Sequence, residues 1–192
     1  MILLTSAYLA PVEYYRQMNI DGKVIVDRYD KYVKRTYRNR CVIATANGLQ
    51  VLTVPVERPD SHGCMMKDIR IADHGKWQHL HWNAIVSAYG SSPFFEFYAD
   101  DFRPFFEKKV DFLFDFNERL RETVCSLLDI SPEIHYTPKE EIGILDLRET
   151  IKDATCLKPY YQVFAFRHGF QPNISIVDLL FNMGPESLLY LK

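Results

Sequence analysis

Strand-like hydrophobic patterns fill the first third of this 192-residue chain, and helical periodicity replaces them in the rest. The early apolar runs predict strands at residues 2–8, 23–26, 41–44, 49–56 and 68–72. A helix predicted from Pro11 to about Met18 separates the first two strands, and Asn47-Gly48 is a strong hairpin signal between the next pair. This order predicts an α/β fold, with a mixed β-sheet formed mainly by the N-terminal half and packed by helices from the C-terminal half.

Helical spacing of apolar residues begins at Trp77. The run Trp77–Tyr89 follows the i, i+3, i+4, i+7 template, and Gly90 ends it. Asp115 followed by Glu118 is a capping-box pattern that predicts the start of a further helix. The remaining elements are predicted as a strand at 133–137, a polar stretch at 138–158, a helix at 159–168 and a last helix from Ser175 to about Gly184. Because no repeat or linker interrupts this series, residues 1–192 are expected to form a single domain.

Charge and composition exclude several classes of protein. The 23 basic and 25 acidic side chains give a formal charge of -2, which argues against a general nucleic-acid binder. No apolar run approaches the ~20 residues that a membrane-spanning helix needs, so no membrane insertion is expected. The four cysteines are scattered without metal-site spacing, as is typical of reduced thiols in the cytoplasm. Because nucleotide-binding glycine motifs are also missing, we expect neither a metal nor a cofactor.

A basic tract lies between Arg28 and Arg40. Asp30 alone opposes its six cations, which are Arg28, Lys31, Lys34, Arg35, Arg38 and Arg40. Because crowded like charges repel each other unless an anion lies among them, the tract predicts a site for phosphate or carboxylate. The alternative is a solvated strand edge that its charges protect from aggregation.

Three histidines fall close together in the sequence, at His74, His79 and His81. His79 and His81 point to different faces of the predicted helix, so they cannot share a metal ion. Only His81 lies on the apolar stripe. The pattern alone favours a core imidazole bound to a backbone carbonyl over a general base that lines a cleft.

Residues 92–116 form an aromatic tract that carries ten of the 27 aromatic side chains and a net charge of -3. Phe dominates over Tyr and Trp there, which favours a core or a subunit interface over sugar recognition. A homo-oligomer formed through this tract is therefore one expectation. Near the C-terminus, Ser175 and Asp178 fit a helix N-cap pair, and Ser175 could instead face a phosphate or an oxyanion.

Several short segments form a specific combination that extends over nearly the whole chain. They are Tyr37-Arg-Asn-Arg40, Asn47-Gly48, Leu52-Thr-Val-Pro-Val56, Trp77 with His81, Ile85 and Tyr89, Ser92-Pro-Phe-Phe95, and Ser175 to Gly184. With these segments the chain resembles the WbqC-like family of bacterial surface-polysaccharide clusters, and Tyr98-Ala-Asp-Asp101 resembles its Bacteroides-type branch. Other branches begin with a His-Gln-Pro-Asn-Tyr type segment. Here that segment is Leu4-Thr-Ser-Ala-Tyr8, in which only Tyr8 is kept.

The resemblance implies a role in the synthesis of O-antigen or related glycans, for which a glycine (aminoacyl) transferase activity has been proposed. It gives as site residues Arg38, Asn39, Arg40, His81, Ser175 and Asp178. The first hypothesis is a cytoplasmic transferase that adds an acyl or aminoacyl group, possibly glycyl, to a phosphorylated sugar precursor. The alternative is a non-catalytic module that binds a phosphorylated glycan precursor or a partner enzyme.

The transferase hypothesis gives each of these residues a role. Arg35, Arg38 and Arg40 would hold the phosphates of the small anionic substrate, and Tyr8 would also contact that substrate. His81 would accept a proton from the attacking sugar amine or hydroxyl. A developing oxyanion would be stabilised by Asn39 or by the backbone around Ser175. Asp178 is a further candidate catalytic residue.

Overall fold

The computed structural model describes residues 1–57, 63–136, 143–151 and 158–192 of the chain. Within these ranges the α/β class is confirmed, with a four-stranded parallel sheet and a two-stranded antiparallel sheet. The strands are β1 (Ile2–Thr5), β2 (Lys23–Asp27), β3 (Arg40–Thr45), β4 (Gly48–Thr53), β5 (Glu133–His135) and β6 (Leu145–Asp146). The helices are α1 (Val12–Asp21), α2 (Trp77–Tyr89), α3 (Phe95–Glu107), α4 (Leu113–Leu127), α5 (Ala165–His168) and α6 (Ile176–Met183), with 3-10 segments at Met66–Asp68 and Gly184–Tyr190.

The parallel sheet has the strand order β5-β2-β1-β6. Its central strands β1 and β2 are almost entirely buried, which explains why both read as continuous apolar runs rather than as alternating patterns. Helix α1 connects them and ends at Gly22, whose left-handed backbone (φ +71°) lets the chain turn into β2. The chain adds β5 beside β2 and then crosses to the other side of β1 to form β6. The direction of strand addition therefore reverses between β1 and β6.

The predicted hairpin is confirmed as β3 and β4. Thr45 pairs with Gly48, and Gly48 takes a positive φ of +105° at the turn. One face of the hairpin is buried through Cys41, Ile43 and Leu52. The hairpin packs against α2 and α6, so it forms a small second sheet beside the parallel one.

Several predicted elements differ from the structure in extent or type. The strands predicted at 2–8 and 49–56 end at Thr5 and Thr53. The predicted strand at 68–72 is a 3-10 turn followed by isolated bridges from Arg70 and Ile71. The helix predicted from Pro159 begins only at Ala165. The polar stretch at 138–158 contains β6, whose two exposed residues are too few to give a periodic signal. Residues 137–142 and 152–157, including Cys156, lie outside the described residues.

The predicted capping box at Asp115 is also wrong. Helix α4 begins at Leu113, whose backbone N–H donates to the carbonyl of Ile69, so tertiary pairing rather than a side-chain cap sets its start. Glu118, the other half of the predicted box, is buried in an ion pair of 2.7 Å with the Nε of Arg121. Burial raises the pKa of the Glu118 carboxyl, and Arg121 opposes that rise.

The aromatic tract forms core. Phe95 and Phe102 on α3 are buried with their rings 5.1 and 5.5 Å from the ring of Phe181 on α6. Of the ten aromatic side chains between residues 92 and 116, all of them described, only Phe97 is exposed. The core interpretation is confirmed, and the homo-oligomer stays a prediction. Among the helices in the described ranges, none combines the length and the apolar character needed to cross a bilayer.

Candidate functional site

A cavity of about 330 Å³ lies at the carboxyl edge of the parallel sheet, between the ends of β1 and β6. Leu4 and Thr5 line it from β1, and Leu147 and Arg148 line it from the segment after β6. In open α/β sheets, ligands bind outside the carboxyl ends of the strands at the point where strand order reverses. The cavity occupies that point and is large enough for a small metabolite.

Four arginines line this cavity, which we call the arginine cavity: Arg35, Arg38, Arg40 and Arg148. The structure thus brings together the first three, which the basic tract suggested, and adds one that sequence reasoning missed. Only the sheet topology places Arg148 beside the others. Arg28, at the start of the tract, does not belong to this group, because its guanidinium lies over the rings of Tyr29 and Phe114.

Arg38 is buried and its charge is balanced by carboxylates. Its Nε and Nη2 donate to the Oδ2 of Asp30 over 3.1 and 2.7 Å, and Nη2 also donates to the Oε1 of Glu149 over 3.0 Å. Asp30 in turn accepts from the hydroxyl of Thr5 and lies 3.5 Å from the Nη1 of Arg148. Asp30 therefore joins three parts of the chain: the end of β1, the segment after β6, and residues 32–39 before β3, which we call the arginine loop.

Arg35 and Arg40 form no ion pair with any residue in the described part of the chain. Arg35 is exposed on a left-handed backbone (φ +63°), an unfavourable conformation for a residue with a β-carbon. The Nε of Arg40 is buried and has no hydrogen-bond partner there. A buried N–H without an acceptor is costly, so an anion in the cavity would supply what Arg40 lacks.

The other walls of the cavity are largely aliphatic. The aliphatic side chains are those of Leu4, Ala7, Pro11, Val42, Val51, Leu147 and Ile151, and Thr5, Thr36 and Tyr37 also line the cavity. Tyr14 also lines the cavity, but its hydroxyl donates to the carbonyl of Thr5, and burial raises its pKa well above the ordinary value. Tyr14 is therefore neutral at physiological pH and adds no charge to the cavity. Because arginines line one side and aliphatic side chains the other, the cavity suits a ligand that joins an anionic group to an apolar one.

Asn39 anchors the arginine loop instead of lining the cavity. Its Nδ2 donates to the carbonyl of Val54 over 2.9 Å, while its Oδ1 is buried and has no partner within the described ranges. From the other side, the Nδ2 of Asn117 donates to the carbonyl of Arg38. Asn39 thus positions Arg38 and Arg40, and its role at an oxyanion stays a prediction.

Tyr8 and His81 are buried behind the same loop. The backbone N–H of Tyr8 donates to the carbonyl of Tyr37, and the Tyr8 hydroxyl lies 2.9 Å from the Nδ1 of His81. Burial lowers the pKa of the His81 imidazole to about 4, although a hydrogen bond to the backbone of Thr53 opposes that shift. The geometry matches a core imidazole bound to backbone. Neither side chain lines the cavity. The catalytic assignment of His81 and the substrate contact of Tyr8 stay predictions.

Ser175 and Asp178 do not form the predicted N-cap pair. Ser175 precedes α6, but its hydroxyl donates to the carbonyl of Leu9 over 2.8 Å rather than accepting from the helix. The Asp178 carboxylate accepts from the hydroxyl of Tyr160 and from the Nε2 of Gln162, over 2.7 and 2.8 Å. Both side chains thus fasten α6 to distant segments, and neither lines the arginine cavity.

The sequence model of the WbqC-like protein family matches residues 6–155 of the chain. The chain belongs to the WbqC-like family. It is also 29% identical over 209 residues to "Uncharacterized protein Rv1507c" of Mycobacterium tuberculosis, covering 90% of this chain and 88% of that protein. No solved structure matches it. The matched residues include all four arginines of the cavity, whereas Ser175 and Asp178 lie beyond them.

Two of the segments that resemble WbqC-like proteins meet in the core. The Phe94 N–H, in the Ser92-Pro-Phe-Phe95 turn, donates to the carbonyl of Phe181 in α6. Gly184 follows α6 with a φ of +53°, and a β-carbon there would lie 2.6 Å from the Cε1 of Phe94. The turn before α3 and the end of α6 are therefore closely packed against each other.

Asp178 makes the stability of this WbqC-like protein depend on pH. Burial raises the pKa of its carboxyl from 3.8 to about 6, although Tyr160 and Gln162 oppose the rise. Between these pH values the folded chain keeps a proton that the unfolded chain has lost, so stability is present below about pH 4 and is lost as the pH rises to about 6. Asp178→Asn removes this dependence. We expect the unfolding free energy of wild type minus that of the variant to fall by about 2.4 kcal/mol between pH 4 and pH 7, in urea denaturation. A difference that stays constant over this range would contradict the prediction.

Proposed function

We propose that this WbqC-like protein binds a phosphorylated sugar precursor in the arginine cavity and transfers an acyl or aminoacyl group to it. The observation that carries the binding part is the cavity at the strand-order reversal, with Arg35 and Arg40 free of ion pairs among the described residues. Family resemblance supports the transfer, its place in the synthesis of O-antigen or related polysaccharides, and a cytoplasmic site for the reaction.

The two arginines suit a phosphoryl group. Guanidinium groups bind phosphate oxygens with paired N–H donors. Arg35 lines the cavity from the turn before β3, and Arg40 lines it from the first residue of β3. Arg38 lies between them in sequence and is fixed by Asp30, so it gives the loop a rigid frame. The aliphatic wall would pack against an acyl chain or the apolar face of a sugar and would limit access of water.

A second candidate function is binding without turnover. One observation favours it: none of the four predicted catalytic residues, His81, Asn39, Ser175 and Asp178, is among the residues that line the cavity. The protein would then present a phosphorylated glycan precursor to a partner enzyme.

Loss of either free arginine should weaken binding of a phosphorylated ligand. We expect Arg40→Gln to reduce the affinity for a nucleotide-activated sugar about tenfold, and Arg35→Gln to have a smaller effect because its side chain is exposed. Isothermal titration calorimetry checks this, with Arg103→Gln as a matched control. Arg103 pairs with Glu107 on the surface of α3 and does not line the cavity. Equal affinities for wild type and Arg40→Gln would show that the ligand binds elsewhere.

Mass spectrometry separates the two candidate functions. Wild-type protein is incubated with sugar nucleotides and with activated acyl and aminoacyl donors, glycyl donors included. A mass gain on the sugar nucleotide that needs the protein and forms more slowly with Arg40→Gln supports the transferase. Calorimetric binding without any such product supports the binding module.

A further inference from the structure

Glu149 provides an exposed carboxylate that contacts the most buried arginine of the cavity. Its Oε1 accepts from the Nη2 of Arg38 over 3.0 Å, yet the side chain of Glu149 is 59% exposed and that of Arg38 only 2%. Glu149 also lines the cavity. A carboxylate oxygen of the protein thus occupies a position from which a ligand's oxygen could reach Arg38.

Arg38 does not depend on Glu149 to balance its charge. Asp30 already accepts from both Nε and Nη2 of Arg38, and its own side chain is 9% exposed. In contrast, Glu149 has no second hydrogen bond within the described ranges. Ion pairs that involve an exposed partner contribute little to stability, so Glu149 can leave at low cost while Asp30 stays.

We propose that Glu149 is an internal counter-ion, which occupies the anion position on Arg38 until a phosphoryl group of the ligand displaces it. This inference rests on the proposed function, because it concerns the same cavity. On displacement, the Nη2 of Arg38 donates to a phosphate oxygen in place of Glu149, and Arg35 and Arg40 donate to the other phosphate oxygens. The exposed Glu149 side chain then turns into solvent.

Such an exchange also selects the class of ligand. A monocarboxylate would replace one carboxylate by another of equal charge and gains little on Arg38. A phosphoryl group carries more charge and more acceptor oxygens, so it can bond Arg38 together with the two arginines that lack ion pairs. Glu149 therefore favours phosphorylated ligands over carboxylates.

Calorimetric titration of inorganic pyrophosphate and acetate into three proteins tests this role. The proteins are wild type, Glu149→Gln, which keeps the shape and removes the charge, and Glu149→Asp, which keeps the charge and shortens the side chain. We expect pyrophosphate to bind about fivefold more tightly to Glu149→Gln, because the neutral amide competes less well for Arg38 than a carboxylate does. Binding to Glu149→Asp should also be tighter, because the shorter side chain no longer reaches Arg38. Acetate should bind measurably only to the two variants.

The possible results separate this role from a general charge effect and from the proposed function. If Glu149→Gln binds pyrophosphate more tightly while Glu149→Asp equals wild type, only net charge matters and the displacement role is overturned. Unchanged affinity in both variants overturns it as well. If no variant binds pyrophosphate but thermal melts show all three folded, the anion site itself is refuted and the proposed function fails with it.

Discussion

Arg38→Ala is expected to lower the free energy of unfolding by about 3–5 kcal/mol, because it leaves the buried carboxylate of Asp30 without its principal partner. Both side chains are less than one tenth exposed, so water cannot replace the lost guanidinium. Thr5 and Arg148 still contact Asp30, but the distance to the Nη1 of Arg148 is 3.5 Å. Chemical denaturation with urea measures the change.

The neighbouring Arg35 offers a matched control for this prediction. Arg35→Ala removes the same charge from the same loop, but from an exposed side chain that has no ion pair with the residues that the structure describes. It should change stability by less than about 0.5 kcal/mol. The double variant Asp30→Asn/Arg38→Gln should be more stable than Arg38→Ala, since it buries no unpaired charge. A loss below about 1 kcal/mol in Arg38→Ala would mean that Thr5 and Arg148 satisfy Asp30 by themselves.

Gly184→Ala should cost about 3 kcal/mol of stability for two separate reasons. Its φ of +53° is unfavourable for any residue with a β-carbon, and the new methyl group would overlap the ring of Phe94. The overlap includes the Cγ of the ring, and the backbone N–H of Phe94 donates to the carbonyl of Phe181, so the ring can avoid the methyl group only by changing its χ1 rotamer. Thermal and urea denaturation of the purified variant provide the measurement.

Two further variants divide this cost between backbone and overlap. Gly22→Ala, also at a positive φ (+71°) but with open space around the new carbon, should cost only about 1 kcal/mol. Phe94→Ala in the Gly184→Ala background removes the ring and should be less destabilising than the two single changes added together. Additive effects, or equal costs at Gly184 and Gly22, would exclude the overlap as a cause.

Local sequence patterns predicted those parts of the fold that depend on local spacing. The apolar runs of β1 and β2, the hairpin at Asn47-Gly48 and the helix Trp77–Tyr89 were all recognisable. Strand β6 was not, because two exposed residues have no period and pair only with a strand at the other end of the chain. Without β6 the reversal of strand order could not be located, and the cavity depends on that reversal.

The candidate site was predictable only in part for the same reason. The basic tract could be recognised directly in the sequence. Arg148 and Glu149 could not be assigned to the cavity, because they line it only as a result of where β6 lies in the sheet. Asp30, the carboxylate that binds Arg38, could be identified within the basic tract, but its burial could not be predicted from the sequence. For Ser175, a local N-cap was the natural prediction, whereas the fold uses its hydroxyl to bind the carbonyl of Leu9, far away in sequence. Local rules cannot anticipate a partner at that distance.

Asp30 connects the walls of the cavity to each other, although it is not itself among the residues that line the cavity. One carboxylate is shared by the end of β1, the arginine loop and the segment that follows β6. Because all three are held through the same two oxygens, a displacement of the loop changes the forces on the segment opposite it. A ligand that shifted Asp30 would therefore change the contacts of Thr5, Arg38 and Arg148 at the same time.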